Sequence, residues 1–301
     1  MTHITLSCAE RYAVRPFYVN GKPLLRDAPF WGMTLKQAGS MRFRWDETNE
    51  TRDKLLKEIA SGRSAFRNDV PCEPVPLELL HSKIVYAVSS AADTYGRQGD
   101  GIVTDRTSLM PVVTAADCMP IFFYERECGV FGVVHSGWKG TGIVTEAIAV
   151  MRQIYGADVK YLSAVLGPHI RSCCYIVDEE RASYFEKNFC GDCVREYETD
   201  GNEHANAERD ETENGRTDTS CGRFLGVRSI FQNEGKAKRY RLSLEKANLA
   251  LLEAAGVRDE NIAVCDDCTG CDERFGSFRR ETGGDIQKSF TVQAAFCGWI
   301  R

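Results

Sequence analysis

The chain has 301 residues, 43% of them hydrophobic, and a formal net charge of −5. That length is ample for a sizeable core, and the acidic balance lacks the basic surplus that backbone-driven nucleic-acid binding requires. The opening MTHITLSCAERYAV has no charged segment leading into an apolar one, and no later apolar run approaches the ~20 residues of a membrane span. A soluble, cytoplasmic protein with neither nucleic-acid nor membrane partners is expected.

The first 40 residues are strand-like, with Asn20 and Gly21 in RYAVRPFYVNGKP as a hairpin signal. NETRDKLLKEIASG then reads as a helix capped near Asn49, with Leu55, Leu56 and Ile59 on one face and Gly62 at its end. Residues 84 to 134 are strand and turn. IVTEAIAVMRQIYG carries apolar residues at helical spacing and stops at Gly156, and a strand follows from Tyr161 to Gly167. VDEERASYFEKNF is another helix. From 196 to 236 the chain turns polar and acidic, a composition too poor in apolar surface to fold alone, so an inserted surface loop is expected there and His204 within it is not taken as a ligand. LSLEKANLALLEAAGV is a helix ending at Gly256, NIAVCDD a strand, and KSFTVQAAFCGWI a last β segment. Strands and helices alternate irregularly, which predicts a mixed sheet core covered by helices rather than a doubly wound parallel sheet. No repeat is visible, and the even spread of motifs favours a single domain over 1–301.

Three residues stand where strands give way to chain-breaking residues. Cys118 follows VVTAAD and precedes Pro120, His135 ends an apolar run and opens into SGWKG, and His81 lies in LELLHSKIVYAV before another β-branched run. Two imidazoles and one thiolate suit a three-ligand zinc site whose fourth position takes water or substrate. The spacings of 37 and 17 residues match no short zinc signature, so Cys118 as a small buried hydrophobe stays open beside Cys118 as ligand. The glycines at 137, 140 and 142, ahead of a helix, suit either an anion pocket or a simple turn.

Thirteen cysteines, an odd number without an export signal, point to thiols and metal rather than to a disulfide framework. Cys265, Cys268 and Cys271 in CDDCTGC have C-x-x-C-x-x-C spacing but no adjacent fourth ligand. Cys190 and Cys193 could complete a distant zinc site, yet a cysteine-rich turn is the favoured reading and a second structural metal at Cys265, Cys268 and Cys271 is not expected.

TAADCMP and VVHSGWKG resemble the TADC and HAGWRG motifs of the multicopper polyphenol oxidoreductase (laccase) domain family, also described as purine nucleoside phosphorylases and as a peptidoglycan editing factor family. LLHSKIVY, DGIVTD, GPHIRSCCYIVDEE and VCDDCTGC with RFGSFRRE resemble further motifs in the same order, over roughly residues 40 to 295. The resemblance implies a layered α/β/β/α sandwich with mixed β-sheets and matches His81, Cys118 and His135 to the family's metal ligands. It also implies phosphorolysis of adenosine, inosine and methylthioadenosine, with adenosine deamination at the same site. The chain departs from the pattern in places: Lys139 replaces the arginine of GWRG, keeping charge but losing a bidentate fork, and Ile176 stands where a glutamate is usual. TGGDIQKS replaces TGR, and LSL at 242–244 replaces DLW.

Five histidines are too few for four-copper oxidase chemistry, so one catalytic zinc is the expected cofactor, with copper as the alternative. The expected small-molecule partners are a nucleoside and phosphate. His81, Cys118, His135 and Arg280 are assigned to catalysis, and Arg279, Lys139 and Gly137 to substrate binding, with one of the two arginines as phosphate clamp. Other classes stay open. Cys118 and His135 would serve as nucleophile and base of a peptidoglycan-precursor amidase. A polyphenol oxidase, a redox role for the cysteine cluster and a non-catalytic metal-binding module are the remaining readings, and the expected assembly is a monomer or homodimer.

Overall fold

The computed structural model describes residues 1–6, 10–62, 72–197 and 238–300. Its centre is a seven-stranded mixed sheet in the order Thr2–Ile4, Ile262–Cys265, Leu162–Leu166, Met119–Glu125, Phe131–Ser136, Gly101–Thr104 and Val85–Ala87. The strands from Leu162–Leu166 to Gly101–Thr104 pair antiparallel, and the outer pairings on both sides are parallel. A second sheet of five strands runs Tyr12–Pro16, Phe30–Thr34, Gln293–Gly298, Leu109–Ala115 and Glu73–Pro76.

The two sheets face each other because their strands are apolar on both sides. Phe122, Phe131, Val133 and Val165 from the larger sheet meet Trp31, Met33, Val113 and Ala295 from the smaller one in one buried cluster. The outer face of the larger sheet, with Ile121, Phe123, Val134 and Leu166, is covered by helix α2 (Ile143–Tyr155), helix α3 (Glu179–Asn188) and helix α4 (Leu244–Ala254). Helix α1 (Glu50–Ala60) covers the outer face of the smaller sheet through Leu55, Leu56 and Ile59 against Met110, Val112 and Phe296. This is the expected α/β/β/α layering.

Local signals act as read. Asn49 caps α1 by accepting from the Arg52 N–H at 3.0 Å, and Gly156 ends α2 in the left-handed region that glycine tolerates. Asn20 and Gly21, both at positive φ, turn the chain between Tyr18–Val19 and Lys22–Pro23. The last β segment is shorter than expected. It begins at Gln293, because 285–292 form turns around the short helix α5 (Phe278–Thr282).

The polar stretch expected to be an inserted loop lies, but for its first two residues, outside the described residues, and His204 with it. Its flanks are ordered neighbours: Val194–Glu196 pairs antiparallel with Tyr240–Leu242, and the Tyr197 N–H donates to the Arg239 carbonyl at 2.7 Å. A chain whose ends already meet needs little to close it. Replacing 198–237 by a short Gly-Asn turn is therefore expected to leave the thermal unfolding midpoint within a few degrees, and a variant that fails to fold would show that the segment carries structure.

Candidate metal centre

Cys118 sits where the chain passes from one sheet to the other. Leu109–Ala115 belongs to the five-stranded sheet and Met119–Glu125 to the seven-stranded one, so residues 116–118 form the crossing. The turn is made at Asp117, whose φ of 81° is uncommon for a residue with a side chain. Its buried carboxylate is held by the Thr269 hydroxyl at 2.7 Å and the Arg279 N–H at 2.7 Å, while the Ile170 N–H donates to its carbonyl. Burial pushes the Asp117 carboxyl up in pKa despite these donors.

The register opposite Cys118 explains Gly137. Met119 pairs with Ser136 and Pro120 with His135, which brings residue 137 across from residue 118. A Cβ at Gly137 would stand 2.6 Å from the Cys118 sulfur, so only glycine leaves the thiol its place. Gly137 thus shapes the ligand set, a use more direct than the substrate contact expected of it.

His81, Cys118 and His135 come together with their ligand atoms all within 4.8 Å of one another. His81 is reached by a positive φ of 59°, and its ring stands perpendicular to that of His135 with centroids 4.9 Å apart. Both histidines are fixed by Asp100, a fully buried residue that the sequence reading passed over. Its carboxylate accepts from the His81 N–H at 3.0 Å, the Ser82 N–H and hydroxyl at 2.6 and 2.7 Å, and His135 Nδ1 at 3.0 Å. With Nδ1 engaged, Nε2 of His135 is the ligand atom turned to Cys118, the arrangement of a carboxylate–histidine–metal triad. Two imidazole nitrogens and a soft sulfur at these separations fit zinc, whose bonds to nitrogen and sulfur are about 2.0 and 2.3 Å. The same donors accept copper, but the other histidines among the described residues do not join them: His3 pairs with Asp266, and His169 is buried with Nδ1 donating to the Gly167 carbonyl.

Burial opposes a charged His135, but the Cys118 thiolate and the Asp100 carboxylate outweigh it and hold the imidazolium up to about 10. Burial and the neighbouring His135 charge push His81 the other way. A raised pKa stabilises the fold fully below the ordinary histidine value near 6.5, and that stability is lost as pH rises through about 10. Since a metal must displace this proton, its uptake releases protons and tightens as pH rises.

Beside Cys118 the remaining polar groups gather on one side. The Trp138 ring is covered by the Arg181 guanidinium at 4.4 Å, and Lys139, exposed, places its ammonium 5.8 Å from the same ring. Arg181 reaches the buried Tyr175 hydroxyl at 3.4 Å, and Tyr175 feels the charges of Arg181, Cys118 and Arg279. Among the described residues Trp138 Nε1 and Arg181 Nε are buried donors without an acceptor. Arg279 is half-buried and donates to the Ile176 carbonyl at 3.1 Å, so Ile176, in the expected place of a glutamate, contributes its backbone.

Arg280, assigned to catalysis from the sequence, is held by the backbone. Its guanidinium is spent on backbone carbonyls of Thr269, Gly270, Asp272 and Phe275, and its side chain is 9% exposed. It braces the 269–275 loop through these carbonyls. Asp100, Tyr175 and Arg181 join the site without having been expected from the sequence. Asp100 was visible in DGIVTD, while nothing in EERASYF distinguishes Arg181 from a solvated helix residue.

The family model for multi-copper polyphenol oxidoreductase laccase matches residues 31–214 and 216–289. A purine nucleoside phosphorylase of Clostridium acetobutylicum is 36% identical over 112 residues, 36% of this chain and 47% of that protein. The purine nucleoside phosphorylase of Deinococcus radiodurans is 27% identical over 230 residues, covering 70% and 74%, and an adenosine deaminase from an unidentified prokaryote is 28% identical over 193 residues, covering 64% and 60%. The matched part spans about half the length of the first of these. In fold, the chain superposes on YlmD from Geobacillus stearothermophilus with a TM-score of 0.63, covering 95% of this chain and 100% of that one at 23% identity.

Two variants test the ligand set. Asp100→Asn keeps the fold's volume but loses the orienting acceptor, and metal affinity is expected to fall 10- to 100-fold, on the order seen for such partners. Gly137→Ala is expected to displace the thiol and empty the centre. Metal content after dialysis at pH 6 and pH 8 reads both effects, with occupancy higher at pH 8; full occupancy in Gly137→Ala would remove Cys118 from the ligands.

Proposed function

The chain belongs to the multi-copper polyphenol oxidoreductase laccase family, and we propose that it is a zinc-dependent purine nucleoside phosphorylase acting on adenosine, inosine and methylthioadenosine, with adenosine deamination as a secondary reaction. The observation that carries this is the pair of buried, acceptor-free donors, Trp138 Nε1 and Arg181 Nε, next to the His81, Cys118 and His135 centre. Donors left without partners in a buried setting are costly unless a ligand meets them. Lys139 and Arg279 add positive charge on the same side, so the missing acceptor is an anion, and inorganic phosphate has the oxygens to meet them.

In phosphorolysis, phosphate attacks the sugar carbon as the purine leaves. Arg181 and Trp138 would hold the phosphate oxygens and orient one of them for attack. Zinc at the His/Cys/His centre would act as a Lewis acid beside the reacting atoms. Asp100 keeps His135 in one tautomer throughout. The relatives named as purine nucleoside phosphorylases and as an adenosine deaminase support the substrate class. Four-copper oxidation is not supported, because only two of the chain's five histidines reach the centre among the described residues.

Arg181→Ala is expected to lower kcat/KM for phosphate-dependent release of hypoxanthine from inosine by on the order of 100-fold, with zinc content unchanged. Arg280→Ala is expected instead to lower the unfolding temperature. Zinc-loaded protein that releases no base from adenosine, inosine or methylthioadenosine, yet cleaves a muramyl-serine amide, would favour a peptidoglycan-precursor amidase.

A further inference from the structure

A second cluster of ligating side chains lies outside the centre just described. Cys173 and Cys174, in the turn after residue 170, meet Cys268 and Cys271 from far along the chain, with Cys173 ninety-five residues from Cys268 and ninety-eight from Cys271. The sulfur separations are 3.9 Å for Cys173 to Cys174, 3.5 Å for Cys173 to Cys268, 3.6 Å for Cys173 to Cys271 and 3.2 Å for Cys174 to Cys271. All four ligand atoms lie within 4.8 Å of one another. A tetrahedral zinc ion with sulfur at about 2.3 Å sets its ligands roughly 3.8 Å apart. We propose that Cys173, Cys174, Cys268 and Cys271 bind a single structural zinc ion as a four-thiolate site, independent of the His81, Cys118 and His135 centre.

The surroundings are built for it. Cys268 and Cys271 bracket a knuckle in which the Cys271 and Asp272 N–H groups both turn back to the Cys268 carbonyl. A Cβ at Gly270 would stand 2.6 Å from Cys174 Cβ and 3.0 Å from its sulfur, so glycine there makes room for the fourth ligand. The Arg171 N–H donates to the Cys268 sulfur at 3.3 Å, and its guanidinium is held between Glu245 and Asp266. Several thiolates at this spacing repel strongly, and a divalent cation is the group that reconciles them. An iron–sulfur cluster places metal and inorganic sulfide between its cysteines and needs them farther apart, so a single ion fits better.

Cys265, the first cysteine of CDDCTGC, is not among the ligands. It points into the core between the sheets and donates to Asp267 at 3.1 Å. Cys190 and Cys193 pair locally, the Cys193 thiol donating to the Cys190 carbonyl at 2.8 Å. The fourth-ligand problem in the sequence is solved by the vicinal Cys173 and Cys174. Cys271 carries a disulfide bond to a sulfur outside this set, so the four-thiolate site forms only on its reduction. Disulfide and metal exclude each other there: two electrons and two protons from a thiol or phosphine reductant return both sulfurs to thiols, and zinc then releases the thiol protons as it binds.

The full chain, purified under a phosphine reductant and loaded with cobalt in place of zinc, provides the test. Cys118→Ala should remove the mixed nitrogen and sulfur site yet keep one equivalent of cobalt with the intense thiolate-to-cobalt absorption of a four-sulfur site. Cys271→Ser in that background should lose both the band and the equivalent. If Cys271→Ser does not fold, titrating Cys118→Ala with a mercurial thiol reagent should release the remaining zinc in step with four thiols. A Cys118→Ala protein that folds with reduced cysteines but holds no metal would overturn the proposal, as would retention of the band in Cys271→Ser.

Discussion

A single buried carboxylate organises the candidate centre. Asp100 is fully enclosed, and it receives two backbone N–H groups, one hydroxyl and one imidazole. An ionised carboxylate without such partners would be expelled from so dry a place. Saturated with donors, its pKa is instead lowered even though burial works against it. The carboxylate therefore fixes the loop that carries His81 and the strand that carries His135 at once, and the distance between the two imidazoles follows from one anchor.

Cys118 is placed by different means. Its position depends on Asp117 at a strained φ, on Thr269 and the Arg279 backbone that hold the Asp117 carboxylate, and on the absence of a side chain at Gly137. Strain at such a turn persists when surrounding contacts over-determine it. Those contacts come from the 268–272 knuckle and from α5, which Arg280 braces through four carbonyls. A tetrathiolate zinc in the knuckle would add rigidity to the same support.

Much of this was legible in the sequence because it is local. The helices near 50, 143, 179 and 244 stand where the sequence places them, with Asn49 as a cap and Gly156 as a stop, and the structure adds Asp178 and Ser243 as caps of the last two. His81, Cys118 and His135 were visible from their place at strand ends and from their motifs. What sequence could not show was pairing across distance. Arg279 and Arg280 look equivalent as neighbours in SFRRE, but the helical turn sends one towards Tyr175 and Ile176 and the other into a ring of carbonyls. Likewise CDDCTGC suggests three ligands in line, whereas Cys265 is in a strand and faces the core between the sheets. Alternation along a strand sends it away from the knuckle that follows.

The crossing at residues 116–118 is one of several that join the two sheets, whose facing sides pack apolar side chains together. His135 belongs to the seven-stranded sheet, while His81, between Glu73–Pro76 and Val85–Ala87, and Cys118 both lie on connections between the two sheets. An ion bound by all three would tie two of these connections to a strand of the seven-stranded sheet, so that sliding one sheet over the other would stretch metal–ligand bonds as well as apolar contacts. Because an ion that binds only the folded state stabilises it in proportion to the logarithm of its concentration, local metal supply would set how firmly the sandwich resists shear.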